Sequence, residues 1–258
     1  MDRISGYAYH HFAKWSFCNR YPYRMNSPEI QENDYVFLNL DLFPTFLQYL
    51  RQYPPKHKFI LISHNSDKHF NDEYYHYIKP YCNKIYAITN ICRQPDMYTI
   101  PIGFNDKNNL EIVKYNHLLN IEKTILCYMN FSVTSNIPKR KACVDALGEC
   151  TWVTNEKYGM PLSPYYSQLA KSKYVLSPEG EGIDCHRIYE SIYFNSIPIL
   201  LTCLMDDFYL KYDFPIITVQ SWNEITEEFL NINYAQLYQK LVDWKQKYPN
   251  WMEPTFYL

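Results

Sequence analysis

The chain has 258 residues, a formal net charge of −2 and 47% hydrophobic residues. That is enough to bury two α/β cores, and it leaves no basic stripe for a nucleic-acid partner. No apolar run reaches membrane-spanning length and no charged-then-apolar leader opens the sequence, so neither a span nor a secretory signal is expected. The eight cysteines (Cys18, Cys82, Cys92, Cys127, Cys143, Cys150, Cys185, Cys203) are scattered without zinc-type spacing and read as reduced, mostly buried thiols.

From residue 35 strand and helix patterns alternate. YVFLNL (35–40) is a strand, DLFPTFLQYLRQ (41–52) a helix, and KFILIS (58–63) a near-continuous apolar strand of the kind buried on both faces of a parallel sheet. NDEYYHYIKPY (71–81) follows as a helix, then strands KIYAIT (84–89) and MYTIPI (97–102). The polar stretch 105–120 holds the crossing between two domains, 1–115 and 116–258. The second domain opens with TILCYM (124–129). A helix begins at Pro138 in PKRKACVDALGE, TWVT is a short strand, and Ser163-Pro164 is placed to cap the helix in YYSQLAKS. FPIITV (214–219) is a further strand, Ser221 with Glu224 forms a capping box for WNEITEEFL, and a last helix covers about 234–247. Ahead of all this, residues 7–24 (YAYHHFAKWSFCNRYPYR) alternate aromatic and cationic side chains, a candidate acceptor wall in which Trp15 serves equally well as packing.

The most informative segment is 171–200, KSKYVLSPEGEGIDCHRIYESIYFNSIPIL, which reads as strand, polar turn, helix and strand. Its turn and first helical turn hold Ser177, Gly180, Gly182, His186, Arg187 and Glu190. Glycines let backbone N–H groups and a helix N-terminus approach an anion. Arg187 and Glu190 share a helix face, one set for phosphate and the other for sugar hydroxyls. A tight connection with a solvated ion pair would use the same residues. Arg140, between Lys139 and Lys141 in NFSVTSNIPKRK, is a second candidate cation, or part of an ordinary basic turn. In the first domain His64, Asn65, Ser66 and Asp67 follow the buried strand, at the carboxyl edge where open α/β sheets hold ligands. Asp67 is the candidate base, with His64 behind it and Asn65 and Ser66 on the acceptor side; capping the next helix is its alternative role. Neither Asn39-Leu40-Asp41 nor Asp206-Asp207 offers converging carboxylates, so no metal ion is expected.

SPEGEGIDCHRIYESIYFNSIPIL (177–200), together with FILISHNSD (59–67), YAITN (86–90), IPIGF (100–104) and NFSVTSNIPKRK (130–141), resembles the exostosin-like glycosyltransferases, in particular their short soluble viral and bacterial versions. Tyr189 stands where that family has a larger aromatic residue, and Asn195-Ser196 where a glycine often precedes the Ile-Pro strand. The resemblance implies a GT-B fold: α/β, two Rossmann-like domains facing a central cleft, with the final helix packing back on the N-terminal domain. It implies transfer, inverting and metal-independent, from a nucleotide-diphosphate donor, a UDP-sugar such as UDP-xylose, to a glycan hydroxyl. Glu190 would hold the ribose, no cofactor would be needed, and the enzyme would work in the cytoplasm, for a viral member that of an infected host. A nucleotide-sugar-binding protein without catalysis would satisfy the same donor residues.

Overall fold

The computed structural model describes residues 3–258. The chain divides between Asn109 and Leu110 into two compact units, and Met252–Leu258 belongs to the first.

In the first unit α1 (Gly6–Phe12) precedes β1 (Trp15–Phe17), β2 (Tyr35–Asn39), α2 (Phe43–Gln52), β3 (Phe59–His64), α3 (Asp72–Ile78), β4 (Cys82–Ala87) and β5 (Met97–Thr99). The five strands form one parallel sheet in the order β1-β2-β3-β4-β5. Every residue of β3 is buried, as its unbroken apolar run requires. Phe43, Phe46, Leu47 and Leu50 recur at helical spacing on α2 and join Val36, Leu38, Phe59, Leu61 and Ile78 in one core. β5 stops at Thr99, short of the expected 97–102, and β4 starts early, at Cys82, after a 3-10 turn at Lys79–Tyr81. α1 and β1 lie in the stretch read only as a possible wall. α1 is held by Ser5, whose hydroxyl accepts from Ala8 N at 3.1 Å, and β1 by pairing with β2.

The second unit runs β6 (Ile125–Met129), α4 (Ile137–Leu147), β7 (Val153–Asn155), α5 (Leu162–Lys171), β8 (Ser172–Leu176), α6 (His186–Tyr193), β9 (Ile197–Leu201), α7 (Asp206–Lys211), β10 (Ile217–Val219) and α8 (Glu227–Lys247). Its strands are again all parallel, in the order β10-β9-β8-β6-β7. The chain steps from β6 outward to β7, then returns across β6 to β8. Such a reversal opens a crevice at the carboxyl ends of β6 and β8, where doubly wound sheets bind ligands. The first sheet, in the order β1-β2-β3-β4-β5, has no such reversal.

Three local expectations are corrected. Ser163 does not cap α5, which starts a residue earlier behind Pro161 and has no side-chain cap. The Ser221/Glu224 box closes a 3-10 turn, Trp222–Glu224, and Thr226 then caps α8 by accepting from Phe229 N at 3.1 Å. Without proline or glycine to stop it, that helix runs 21 residues through 231–233 instead of breaking there. α8 stays in the second unit, and the part of the C-terminal region that joins the first is Met252–Leu258.

α6 ends on Asn195 at φ 59°, with Ser196 N–H donating to Ser191 O at 2.8 Å. This left-handed exit is usually glycine's, and asparagine is the side chain that tolerates it best. Two lysines cover the same helix end. Lys123 Nζ donates to Phe194 O and Ser196 Oγ, both at 2.8 Å, and Lys245 Nζ to Tyr193 O at 3.1 Å and Asn195 Oδ1 at 2.5 Å. Burial, reinforced by the Lys245 charge, lowers Lys123 to about 7, and burial lowers Lys245 to about 8. Unfolded lysines titrate near ~10.4, so from about pH 7 upward the unfolded chain holds more protons and these two groups make stability rise with pH. Cysteine ionisation in the unfolded chain opposes this from about pH 8.5. The difference in urea midpoint between Lys123→Met and wild type is therefore expected to fall as pH is raised from about 6.5 to 8.5.

Candidate functional site

The turn after β8 is fixed from two sides. Asp184, 2% exposed, accepts from the hydroxyls of Tyr189 (2.6 Å) and Tyr209 (3.0 Å) and from Cys185 N (2.9 Å). From α4, Asn136 Nδ2 donates to Gly180 O at 2.8 Å, Arg140 Nε to Glu179 O at 3.0 Å, and Arg140 Nη1 to Ser132 O at 2.7 Å. Gly180 N donates to Gly182 O at 3.2 Å and closes the turn. A Cβ at Gly180 would lie 2.8 Å from Arg140 Nη2, so the glycine is required by space.

Arg187 and Arg140 converge on Phe131, just past β6. Their guanidinium carbons lie 5.4 and 5.6 Å from its ring centre, a cation–π arrangement on both counts. Arg140 is buried, and burial together with the Arg187 charge lowers its pKa. Arg187 is only partly buried as a residue, yet its Nε and Nη1 are enclosed and have no hydrogen-bond partner. Glu190, 5% exposed, accepts from Tyr165 Oη on α5 at 2.8 Å, and both lie within electrostatic reach of Arg187. Burial first, and then Glu190, holds the Tyr165 phenol well above its usual range, so it remains a donor. Enclosed cationic N–H groups left without acceptors favour an anion in the crevice.

The expected donor residues thus gather at the reversal of the second sheet, with different tasks. Ser177 is buried and directs its hydroxyl to Val175 O at 3.3 Å, while His186 opens α6. Arg140 is committed to backbone carbonyls and scaffolds the turn. Two contributors escaped the sequence reading: Phe131 sits inside NFSVTSNIPKRK without a chemical signal of its own, and Tyr165 meets a partner 25 residues away.

In the first unit His64 is buried, and its Nδ1 lies 2.8 Å from both Asn65 N and Asn65 Oδ1. Asn65 adopts φ 59° and donates through Nδ2 to Tyr21 Oη at 2.8 Å and Asp106 Oδ2 at 3.4 Å. Asp106, which sequence reading missed, also accepts from Tyr7 N at 2.7 Å and from the Tyr21 hydroxyl. Burial first, and then Asp106, keeps that phenol protonated. Ser66 Oγ donates to Asp41 Oδ1 at 2.9 Å. Asp67 is exposed and does not cap α3, whose cap is Asn71, accepting from Tyr74 N at 3.1 Å. Among the described residues no three His, Cys, Asp or Glu side chains gather as a metal-ligating set, and no helix is long and apolar enough to cross a membrane.

Residues 131–257 match the family model described as the RXYLT1 C-terminal domain, a span that begins at Phe131 and contains all the donor-side residues. Ribitol-5-phosphate xylosyltransferase 1 of Homo sapiens is 26% identical over 117 residues, 41% of this chain, and the chain spans about a quarter (26%) of that protein. Among solved structures, a GtfA/B complex overlaps 85% of this chain and 55% of its own at 12% identity and a TM-score of 0.42. The α,α-trehalose 6-phosphate synthase of Burkholderia multivorans overlaps 86% and 72% at 10% identity and 0.43.

Because both ends of the Arg140 guanidinium are held by carbonyls, it cannot swing away from a side chain at position 180. Gly180→Ala is expected to cost about 1–3 kcal/mol in urea unfolding, and markedly less in an Arg140→Ala background.

Proposed function

We propose that the chain is a glycosyltransferase whose second unit holds a nucleotide-diphosphate sugar, a UDP-sugar such as UDP-xylose, and whose first unit contributes the acceptor side. The observation that carries this reading is the Arg187 guanidinium, two of its nitrogens enclosed without partners beside a second cation, at the switch point of a doubly wound sheet. The similarity to a xylosyltransferase domain over 131–257 supports sugar transfer as the chemistry, and the reading entails the GT-B arrangement.

An acceptor hydroxyl oxygen attacks the anomeric carbon, the bond from that carbon to the diphosphate oxygen breaks, and the diphosphate leaves with the electron pair. Arg187 and the turn amides offset the charge that develops on it, a task that then needs no metal ion. The proton passes to a carboxylate, assigned to Asp67 with His64 behind it; single displacement inverts the anomeric centre. Asp106 is a second candidate because three donors fix its carboxylate at the same sheet edge.

Arg187→Ala is expected to weaken UDP binding by about 30-fold or more in calorimetry, since truncating one partner of a desolvated charge contact typically costs ~2–5 kcal/mol. Unchanged affinity in the folded variant would remove the nucleotide from this crevice.

With xylosyl transfer assayed in excess EDTA, activity should persist. Asp67→Asn should lower turnover roughly 10²–10⁴-fold while UDP affinity holds. Normal turnover in that variant, with loss in Asp106→Asn, would move the base to Asp106.

A further inference from the structure

We propose that Tyr165 is a positioning residue that turns the Glu190 carboxylate toward the ribose hydroxyls of a bound nucleoside diphosphate; this rests on the nucleotide reading above. Tyr165 lies on α5 and Glu190 on α6, neighbouring helices on one face of the second sheet. The Tyr165 hydroxyl donates to Glu190 Oε2 at 2.8 Å, and among the described residues no other hydrogen bond or ion pair involves that carboxylate. Oε1 therefore keeps its lone pairs although the residue is almost wholly buried. Oε1 is not among the enclosed polar atoms, so the one open oxygen of a largely buried carboxylate can accept from a ligand's hydroxyl.

Arg187, three residues earlier on the same helix face, calls for an anion. One ligand must then bring hydroxyl donors and an anionic group within roughly 5–6 Å of each other, the spacing of an i, i+3 pair. A ribose with a phosphate on its 5′ carbon does this; a free sugar lacks the anion and inorganic phosphate lacks the donors.

Tyr165 also lies beside Arg187, but it orients the carboxylate through its bond to Glu190 Oε2. With Oε2 tied to the phenol the carboxylate has one rotation, and Oε1 is the oxygen presented. Without the phenol it is free to turn toward the Arg187 charge, and recognition of the hydroxyls is lost.

The test is calorimetric titration of the full chain with UDP, ADP, GDP and CDP, followed by the 2′,3′-dideoxy counterpart of the tightest binder. Wild type should favour the ribonucleotide by about 10-fold to 100-fold, the usual contribution of hydrogen bonds to a charged group. In Tyr165→Phe that ratio should fall to about twofold or less. A folded Tyr165→Phe protein that keeps the ratio, or that loses both ligands equally, overturns the proposal, the second result marking Tyr165 as merely structural. Glu190→Gln should also lose the ratio, and its retention there overturns the proposal even where Tyr165→Phe does not fold. A wild-type ratio near one overturns the ribose assignment and leaves the nucleotide site standing. Absence of binding by all four nucleotides overturns the site and this inference together.

Discussion

A guanidinium removed from water needs acceptors for its N–H groups, and the second unit is arranged around one that it leaves short. Arg187 shares the Phe131 ring with Arg140, and the like charges tolerate each other because Arg140 spends its donors on the carbonyls of Glu179 and Ser132. Arg140 is therefore scaffolding, and Arg187 is left with enclosed donors in excess. The glycine at 180, the Asp184 anchor and the cap on the Glu190 carboxylate all serve to keep that imbalance in place.

Strand order puts the imbalance where a ligand can relieve it. β6 and β8 are neighbours in the sheet but not in the sequence, and the segments leaving their carboxyl ends, 130–136 and 177–185, diverge to opposite faces. The Asn136 bond to Gly180 O joins them directly, and Arg140 bridges Ser132 O and Glu179 O. The monotonic first sheet has no such opening. Its polar cluster of Tyr21, Asn65 and Asp106 is instead assembled by side chains from three loops around an asparagine in left-handed backbone.

Much of this was legible because β8, α6 and β9 are short apolar runs separated by glycine, proline and charge. Arg187 and Glu190 could be paired from spacing alone, as both lie on one helix. What local pattern could not supply was any contact closing over sequence distance: Tyr165 with Glu190, Phe131 under the two arginines, Asp106 with Tyr21. β1 was missed because three residues carry almost no strand signal without their neighbour β2. α8 was read as two pieces because Asn231 and Asn233 are weak helix formers, but weak propensity without a breaker does not stop an already capped helix. The Asn195-Ser196 departure proved conservative in conformation: the asparagine adopts the backbone state that a glycine would.

The first unit is discontinuous, since Ile4 N–H donates to Met252 O at 2.7 Å and Tyr86 Oη to Leu258 O at 2.5 Å. In chain order the second unit therefore has its full complement of residues at Trp251, while the first, begun earlier, still waits for Met252–Leu258. The unit that begins first is completed last. Cutting the chain before Met252 would leave the second unit every one of its residues and would strip the first of the segment whose Met252 carbonyl accepts from Ile4.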